Sequence, residues 1–235
     1  MYDSAAVTKG EVLARTFHDA MARVYLWMAA GLGVTAIVSM FVAQSEGIAE
    51  AVFGSPWTMW GLFGAQLVLV LTISGRIDRL APGVALGLFF LYSGLVGVTL
   101  STVFLNFSLG AVATAFVAAS ATFGAMAIVG LTTRKDLTRS GPLLMMALLG
   151  LIVAMVVNGF LHSSTLEWIV SLAGVAAFMG LTAHDSQAIK GMTGAALAEG
   201  NEAVVSRVGV LGALNLYLDL LNMFLFVLNL LGGDD

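Results

Sequence analysis

Residues 80–133 read LAPGVALGLFFLYSGLVGVTLSTVFLNFSLGAVATAFVAASATFGAMAIVGLTT, which is 54 consecutive positions without a charged side chain. An α-helix needs about 20 mostly apolar residues to cross a hydrocarbon core about 30 Å thick. The stretch is therefore too long for one membrane span and long enough for two. The turn-forming cluster NFSLG at 106–110 divides it. We expect two consecutive membrane-spanning helices here, joined by a short turn.

The composition of the whole chain is that of an integral membrane protein. Of its 235 residues, 59% are hydrophobic and 10% are charged, and the mean hydropathy is +0.97. Soluble domains carry about 25% charged residues, so the lipid bilayer is the expected surroundings of this chain. The 10 Lys and Arg residues against 14 Asp and Glu argue against a nucleic-acid partner. The absence of cysteine excludes disulfides and thiolate metal sites.

Charged residues divide the chain into apolar segments. The uncharged gaps between Arg23 and Glu46 and between Glu50 and Arg76 are each long enough for one helix, and residues 80–133 are long enough for two. Ser164–Glu167 has the pattern of a capping box and is expected to open the sixth span. We therefore predict an all-α, polytopic membrane protein with seven transmembrane helices, formed by a single domain of residues 1–235. The predicted spans are 24–43, 55–74, 83–105, 111–131, 142–160, 166–184 and 208–230.

Basic residues occur only in alternate segments between the predicted spans. Cytoplasmic loops are enriched in Lys and Arg, so we expect a cytoplasmic N-terminus and an outside C-terminus, which ends in Asp234 and Asp235. The first 23 residues mix acidic and basic side chains and lack a cleavage site after a short apolar core, so no removable signal peptide is expected. The basic residues are Lys9, Arg15, Arg23, Arg76, Arg79, Arg134, Lys135, Arg139, Lys190 and Arg207.

A carboxylate, Asp219, lies near the middle of the seventh predicted span. Such a group costs at least about 2.5 to 3.5 kcal/mol at the bilayer centre and commonly marks an ion pathway or a proton relay. Three asparagines at helical spacing share its face, so the last helix has one polar stripe between apolar faces, as expected at the centre of a bundle. Hydrogen bonding to neighbouring helices is the alternative role. This polar seam consists of Asn215, Asp219, Asn222 and Asn229.

Asp185, at the cytoplasmic end of the sixth predicted span, is the second candidate. Taken alone, it fits a hydrated carboxylate at a helix end. Two carboxylates that meet in a low-dielectric space cannot both ionise easily, so Asp185 and Asp219 would respond to pH if they lie together. Arg76 and Arg79, near the end of the second span, are either positive anchors or counter-ions of a membrane aspartate. The three histidines lack the spacing of a metal site.

Four stretches of the chain form recognisable motifs. They are TTRKDLT (132–138), SSTLEW (163–168), GLTAHDSQAIK (180–190) and LNLYLDLLNMF (214–224). Together they resemble the Bax inhibitor-1 family, in its bacterial branch, and the resemblance extends over essentially the whole chain. It implies a seven-helix fold in which the last helix is surrounded by the other six. It further implies a pH-sensitive calcium leak channel in a bacterial inner membrane.

The resemblance also implies roles for individual residues. Asp185 and Asp219 would form the pH-sensing pair and a weak calcium site, with calcium as the permeant ion and no other cofactor. An arginine of the second helix, Arg79 or Arg76, would bind one of them and act as a latch. His184 replaces the aromatic residue that family members usually carry at this position, which adds a titrating neighbour to the pair.

Other classes of membrane protein fit the sequence less well. A retinal photoreceptor needs a Schiff-base lysine in its last helix, and residues 208–230 contain none. An intramembrane aspartic protease would use one carboxylate as base and the other as acid, but the Gly-x-Gly-Asp pattern of such proteases is absent around Asp219. We therefore do not expect an enzyme. The main alternative is a regulatory partner of another membrane protein, such as a membrane-bound protease, because one fold can serve both roles.

Overall fold

The computed structural model describes residues 9–232, which contain α-helices, two short 3-10 turns and no β-strand. The first eight residues and the acidic end, Asp234 and Asp235, lie outside the described residues. The 3-10 turns are Ile77–Arg79 and Thr138–Ser140. The helices are α1 (Lys9–Gln44), α2 (Glu46–Phe53), α3 (Pro56–Arg76), α4 (Pro82–Asn106), α5 (Leu109–Thr132), α6 (Gly141–Leu161), α7 (Ser164–Ala198) and α8 (Glu202–Leu231).

Seven of these helices, all except α2, are long and apolar enough to cross a membrane. The predicted all-α, seven-helix fold class is therefore confirmed. Each predicted span overlaps one of the seven, and only the second begins outside its helix, one residue before α3 at Ser55. The eight-residue α2 was not predicted, because Glu46 and Glu50 indicate a polar loop when only the spacing of charges is considered.

Two helices are much longer than the spans predicted for them. α1 has 36 residues and α7 has 35, which correspond to about 54 and 52 Å at 1.5 Å per residue. The hydrocarbon core is only about 30 Å thick. Charged residues therefore mark the end of the apolar segment and not the end of the helix, and both helices continue beyond the predicted limits.

The connection between α6 and α7 is a two-residue turn, His162 and Ser163. His162 has a left-handed backbone, with φ of 50°. Ser163 caps α7, because its Oγ accepts a hydrogen bond from the Leu166 N–H at 3.3 Å. The prediction of a capping box that begins at Ser164 is therefore wrong by one residue. The adjacent serine takes the cap position because it has the extended backbone that a cap requires.

α8 is the central helix of the bundle, as predicted. Fourteen of its residues are buried. It packs directly against α1, α4, α5 and α7, whereas α3 packs mainly on α4 and α6 mainly on α7. Four helices, not all six, therefore form the main surroundings of α8. The outer helices α3 and α6 each contribute a single buried residue, Ile73 and Leu151.

Hydrogen bonds fix one side of α8 against α1 and α4. The Tyr217 hydroxyl shares a hydrogen bond of 2.6 Å with Thr35 Oγ1 of α1, which also lies 2.9 Å from the Ser93 carbonyl oxygen of α4. At Gly97 of α4, an added Cβ would lie 2.8 Å from the Thr35 carbonyl oxygen, so a small residue allows α1 and α4 to approach closely. Asp219 follows Tyr217 by two residues, about 200° around the helix. It is therefore turned away from this fixed side.

The C-terminal half of α7 holds the loop between α5 and α6. The Gln187 amide donates to the Lys135 carbonyl oxygen at 2.9 Å, and its oxygen accepts from the Leu137 N–H at 2.7 Å. Lys190 Nζ donates to the Leu131 carbonyl oxygen at 2.7 Å. These bonds connect α7 to the end of α5 and to the α5–α6 loop, at positions close in sequence to His184 and Asp185.

Candidate functional site

A cavity of about 910 Å³ lies between α6, α7 and α8, with a contribution from Leu67 of α3. We name it the aspartate cavity. Apolar side chains form most of its wall, including Leu148, Leu151 and Ile152 of α6. The polar groups come from α7 and α8, and they are His184, Asp185, Asn215, Asp219 and Asn222. The predicted carboxylate pair and two of the seam asparagines therefore line one space.

The antiparallel arrangement of α7 and α8 brings the two aspartates to similar depth. Asp185 lies 13 residues before the end of α7 and Asp219 lies 17 residues after the start of α8, about 20 and 26 Å along the two helices. The connection is short because Gly200 adopts a left-handed backbone, with φ of 69°. Asn201 then caps α8 by accepting a hydrogen bond from the Ala203 N–H at 3.0 Å.

Asp219 is the most deeply buried charged residue of the site. It is 5% exposed, and its Oδ2 atom has no hydrogen-bond partner within residues 9–232. Its carboxylate interacts electrostatically with that of Asp185. Buried polar groups are normally paired because an unpaired one costs about 1 to 3 kcal/mol. The fold therefore maintains a costly carboxylate at this point of the cavity.

Asp185 is partly exposed and has a partner. Its side chain is 19% exposed, and its Oδ1 atom lies 2.8 Å from His184 Nδ1. The other nitrogen of that ring, Nε2, faces the start of α6, where a Cβ added at Gly141 would lie 3.0 Å away. Asp185 is thus held by the histidine that precedes it, and the imidazole occupies the space between the α7 carboxylate and α6.

The two latch candidates, Arg76 and Arg79, follow one another at the end of α3. Arg76 ends α3 and Arg79 belongs to the following 3-10 turn, and both side chains are exposed. In the part of the chain that the structure describes, neither forms an ion pair with Asp185 or Asp219. The proposed pairing therefore stays a prediction. A different arginine fixes this turn: Arg207 Nε, near the start of α8, donates to the Leu80 carbonyl oxygen at 2.8 Å.

The fourth seam residue, Asn229, lines a second cavity of about 490 Å³ near the turn between α6 and α7. We name it the Asn229 cavity. Its lining is more polar than that of the aspartate cavity and includes Asn158, His162, Glu167 and Ser171. The polar seam thus passes through two separate spaces along α8.

The structure also gives roles to residues for which the sequence assigned none. Gln187, Lys190 and Arg207 hold loops against α7 and α8 through backbone carbonyl groups. Such contacts leave no sequence signal, because any carbonyl group can accept them. For metals, residues 9–232 contain no group of three or more His, Cys, Asp or Glu side chains arranged to hold an ion. The aspartate pair alone would be a low-coordination site.

The sequence matches one protein family over most of its length. The model of the family described as "Inhibitor of apoptosis-promoting Bax1" matches residues 17–235. The chain belongs to the Bax inhibitor-1 family. It is similar to the inner membrane protein YbhL of Escherichia coli K12, at 42% identity over 213 residues, which is 91% of each chain.

Other relatives of this Bax inhibitor-1 family member come from distant bacteria. An uncharacterized protein of Deinococcus radiodurans is 43% identical over 221 residues, which is 94% of this chain and 92% of that protein. An uncharacterized membrane protein of Streptococcus pyogenes serotype M6 is 32% identical over 237 residues, the full length of both. The family resemblance identified from the sequence motifs is therefore confirmed.

Three of the four sequence motifs line the two cavities, and the fourth is bonded to α7. Residues 180–190 of α7 carry Asp185, and residues 214–224 of α8 carry Asp219. Residues 132–138 contain the loop that Gln187 holds. Residues 163–168 form the capped start of α7 beside the Asn229 cavity. The four stretches therefore lie on α7, on α8 and on the loop that α7 holds.

Proposed function

We propose that the protein is a pH-sensitive calcium leak channel of a bacterial inner membrane. The observation that carries this proposal is the buried Asp219 carboxylate, which has an unpaired oxygen and shares a cavity of about 910 Å³ with Asp185. Ionisable groups inside membrane proteins usually face a pathway or a water-filled cavity, because their burial in lipid is costly. A structural carboxylate would be expected to have hydrogen-bond donors.

The ligands available in the aspartate cavity suit a passing calcium ion better than a tightly held one. Calcium takes six to eight oxygen ligands, and Asp185, Asp219 and Asn222 together supply fewer. Water and backbone carbonyl groups would complete the coordination. Conduction requires binding weak enough for the ion to leave, so a site of low coordination favours passage. On this proposal calcium is the permeant ion, and no resident cofactor is needed.

Proton uptake by the aspartate pair would control the channel. With both carboxylates ionised, an arginine at the end of α3, Arg79 or Arg76, would be attracted to Asp185 and would draw α3 across the exit. Protonation removes this attraction. Both arginines are exposed in the structure, so the latched state requires the end of α3 to move toward α7. Protonation also removes ligand charge, so calcium flux would peak at intermediate pH.

The proposed location in the inner membrane and the proposed orientation of the chain rest on different observations. The relative YbhL is named an inner membrane protein, and this chain has seven helices of membrane-spanning length and hydropathy within residues 9–232. The orientation, with the N-terminus in the cytoplasm, is supported by the basic residues in alternate loops.

Calcium uptake into sealed proteoliposomes at two pH values tests the proposal. We expect wild-type protein to pass calcium in a pH-dependent manner and the Asp219→Asn variant to lose most of this flux. Asp19→Asn is the matched control, because it makes the same chemical change at an exposed position of α1. Folded, correctly inserted wild-type protein that passes no calcium would overturn the channel and favour the regulatory role beside a membrane-bound protease.

A further inference from the structure

The polar seam of α8 has one apolar interruption. Its first three residues are spaced by 4 and 3 positions, and an interval of 7 separates Asn222 from Asn229. The same alternation of 4 and 3 would place a seam residue at 226, on the same helix face. That residue is Phe226. An aromatic ring therefore lies in the row of polar side chains, one turn beyond Asn222 and one turn before Asn229.

Phe226 also lies between the two cavities. The aspartate cavity and the Asn229 cavity have two lining residues in common, Met155 of α6 and Phe226 of α8. No polar side chain belongs to both linings. The two spaces follow one another along α8, so these two apolar side chains form the partition between them.

The Phe226 ring is held firmly by α7. It is 8% exposed, and its centroid lies 5.9 Å from that of Phe178 at an interplanar angle of 33°. The ring also packs on Gly174, where an added Cβ would lie 2.6 Å from it. A glycine one turn from Phe178 thus provides the space that lets the ring cross toward α7. Tight packing therefore holds the Phe226 side of the partition in place, whereas Met155, on the α6 side, is 47% exposed.

The opposite side of α8 offers no comparable route for an ion. A groove of about 630 Å³ lies there, between α1, α4, α5 and α8. Its lining contains no charged residue, and its only polar side chains are Thr35 and Ser39. Both hydroxyls already make hydrogen bonds to neighbouring helices. A charged ion would be poorly solvated in this groove.

We propose that Phe226, together with Met155, is a hydrophobic gate that separates the aspartate cavity from the Asn229 cavity. This inference rests on the proposed channel function and names where the pathway is closed. Apolar constrictions block ions because water leaves them and the ion cannot carry its hydration shell through. With Phe226 in place, an ion at the aspartate pair is cut off from Asn229. Displacement of the ring would join the two cavities into one polar path.

Thiol accessibility tests the gate without relying on calcium. The chain contains no cysteine, so a single introduced cysteine is the only reactive thiol. We would place it at Asn229 or at Asn222 in the full-length protein, and treat spheroplasts from outside with a membrane-impermeant maleimide. We expect rapid labelling of Asn229→Cys and protection of Asn222→Cys. Adding Phe226→Ala to Asn222→Cys should raise its labelling rate severalfold.

Phe224→Ala is the matched control for this experiment. Phe224 is a buried phenylalanine of the same helix, 7% exposed, but it lines the groove on the other side of α8. It should leave Asn222→Cys protected. If Phe226→Ala does not fold, Phe226→Leu removes less volume and should still raise the labelling rate. Folding is checked by size-exclusion chromatography in detergent.

The outcomes separate the gate from the channel. Equal labelling of Asn222→Cys with and without Phe226, or an equal increase with Phe224→Ala, would overturn the gate. Slow labelling of Asn229→Cys would also overturn it, because the second cavity would then be closed to the outside. A third outcome is that Phe226→Ala, but not Phe224→Ala, exposes Asn222→Cys to the maleimide while the protein passes no calcium in proteoliposomes. This outcome would support the partition and overturn the channel function. We expect that Phe226→Ala both exposes Asn222→Cys to the maleimide and raises the calcium leak at neutral pH.

Discussion

Asp219→Asn should make the protein more stable while removing its calcium flux. The carboxylate is 5% exposed and has an oxygen without a partner within residues 9–232. A carboxylate costs about 2.5 to 3.5 kcal/mol at the bilayer centre, and a neutral amide of the same size removes the charge but still brings polar atoms that need partners. We therefore expect a net gain of about 1 to 2 kcal/mol in unfolding free energy.

Asp185→Asn gives the internal comparison for this prediction. Asp185 is more exposed, and its Oδ1 atom lies 2.8 Å from His184 Nδ1. The side-chain oxygen of an asparagine can accept the same hydrogen bond from His184. The substitution therefore removes only the additional strength that the negative charge gives to this bond. Solvent screens that contribution. The expected change in unfolding free energy is below about 1 kcal/mol in either direction, clearly smaller than for Asp219.

Thermal unfolding in detergent, followed by intrinsic tryptophan fluorescence, measures both effects. A gain of 1 kcal/mol corresponds to a rise in melting temperature of about 2 to 4 °C for a chain of this length. Calcium uptake of the same preparations gives the functional readout. A lower melting temperature for Asp219→Asn, or normal calcium flux with a normal pH response, would refute the reasoning and give Asp219 a purely structural role.

Three further predictions address topology, latch and packing. A reporter that is active only outside the membrane should work when fused after Asp235 and fail when fused within the α5–α6 loop; activity on the same side at both sites would contradict seven spans. Arg79→Ala or Arg76→Ala should raise calcium flux at neutral pH, and the latch is wrong if neither does. Gly130→Ala should destabilise the fold by about 1 to 3 kcal/mol, because its Cβ would collide with the α7 backbone, while Gly124→Ala, with free space around it, should not.

The number and order of the helices could be predicted because lipid imposes a simple rule. A span needs a long, mostly apolar segment, so gaps between charges count the first six spans, and the seventh is recognised although Asp219 lies within it. The ends of the helices could not be predicted in this way, because α1 and α7 continue as helices into water, where charges are tolerated. The central position of α8 was predictable because only a central helix needs one polar stripe among apolar faces.

The pairing of Asp185 with Asp219 was only partly predictable. The sequence shows that both residues are present but does not show whether they lie close together. The expectation that they form a pair came from the resemblance to the Bax inhibitor-1 family. The hydrogen bond from Arg207 to the Leu80 carbonyl oxygen was not predictable, because a backbone acceptor leaves no signal in the sequence. Phe226 was not predicted from the sequence, because the spacing of the seam assigns it no role until the two cavities on either side of it are known.

The distribution of buried residues indicates which helices could move if the protein is gated as proposed. α8 is fixed against α1 and α4 through Tyr217, whereas α3 and α6 each have a single buried residue, so their displacement breaks few packed contacts. α6 supplies Met155 to the partition, and α3 carries the latch arginines. On the proposed mechanism, a motion of α6 would withdraw Met155 from its place beside Phe226, whereas a motion of α3 would set the latch. Because Leu67 of α3 and Met155 of α6 line the same cavity, protonation of the aspartates inside it would act on both motions at once.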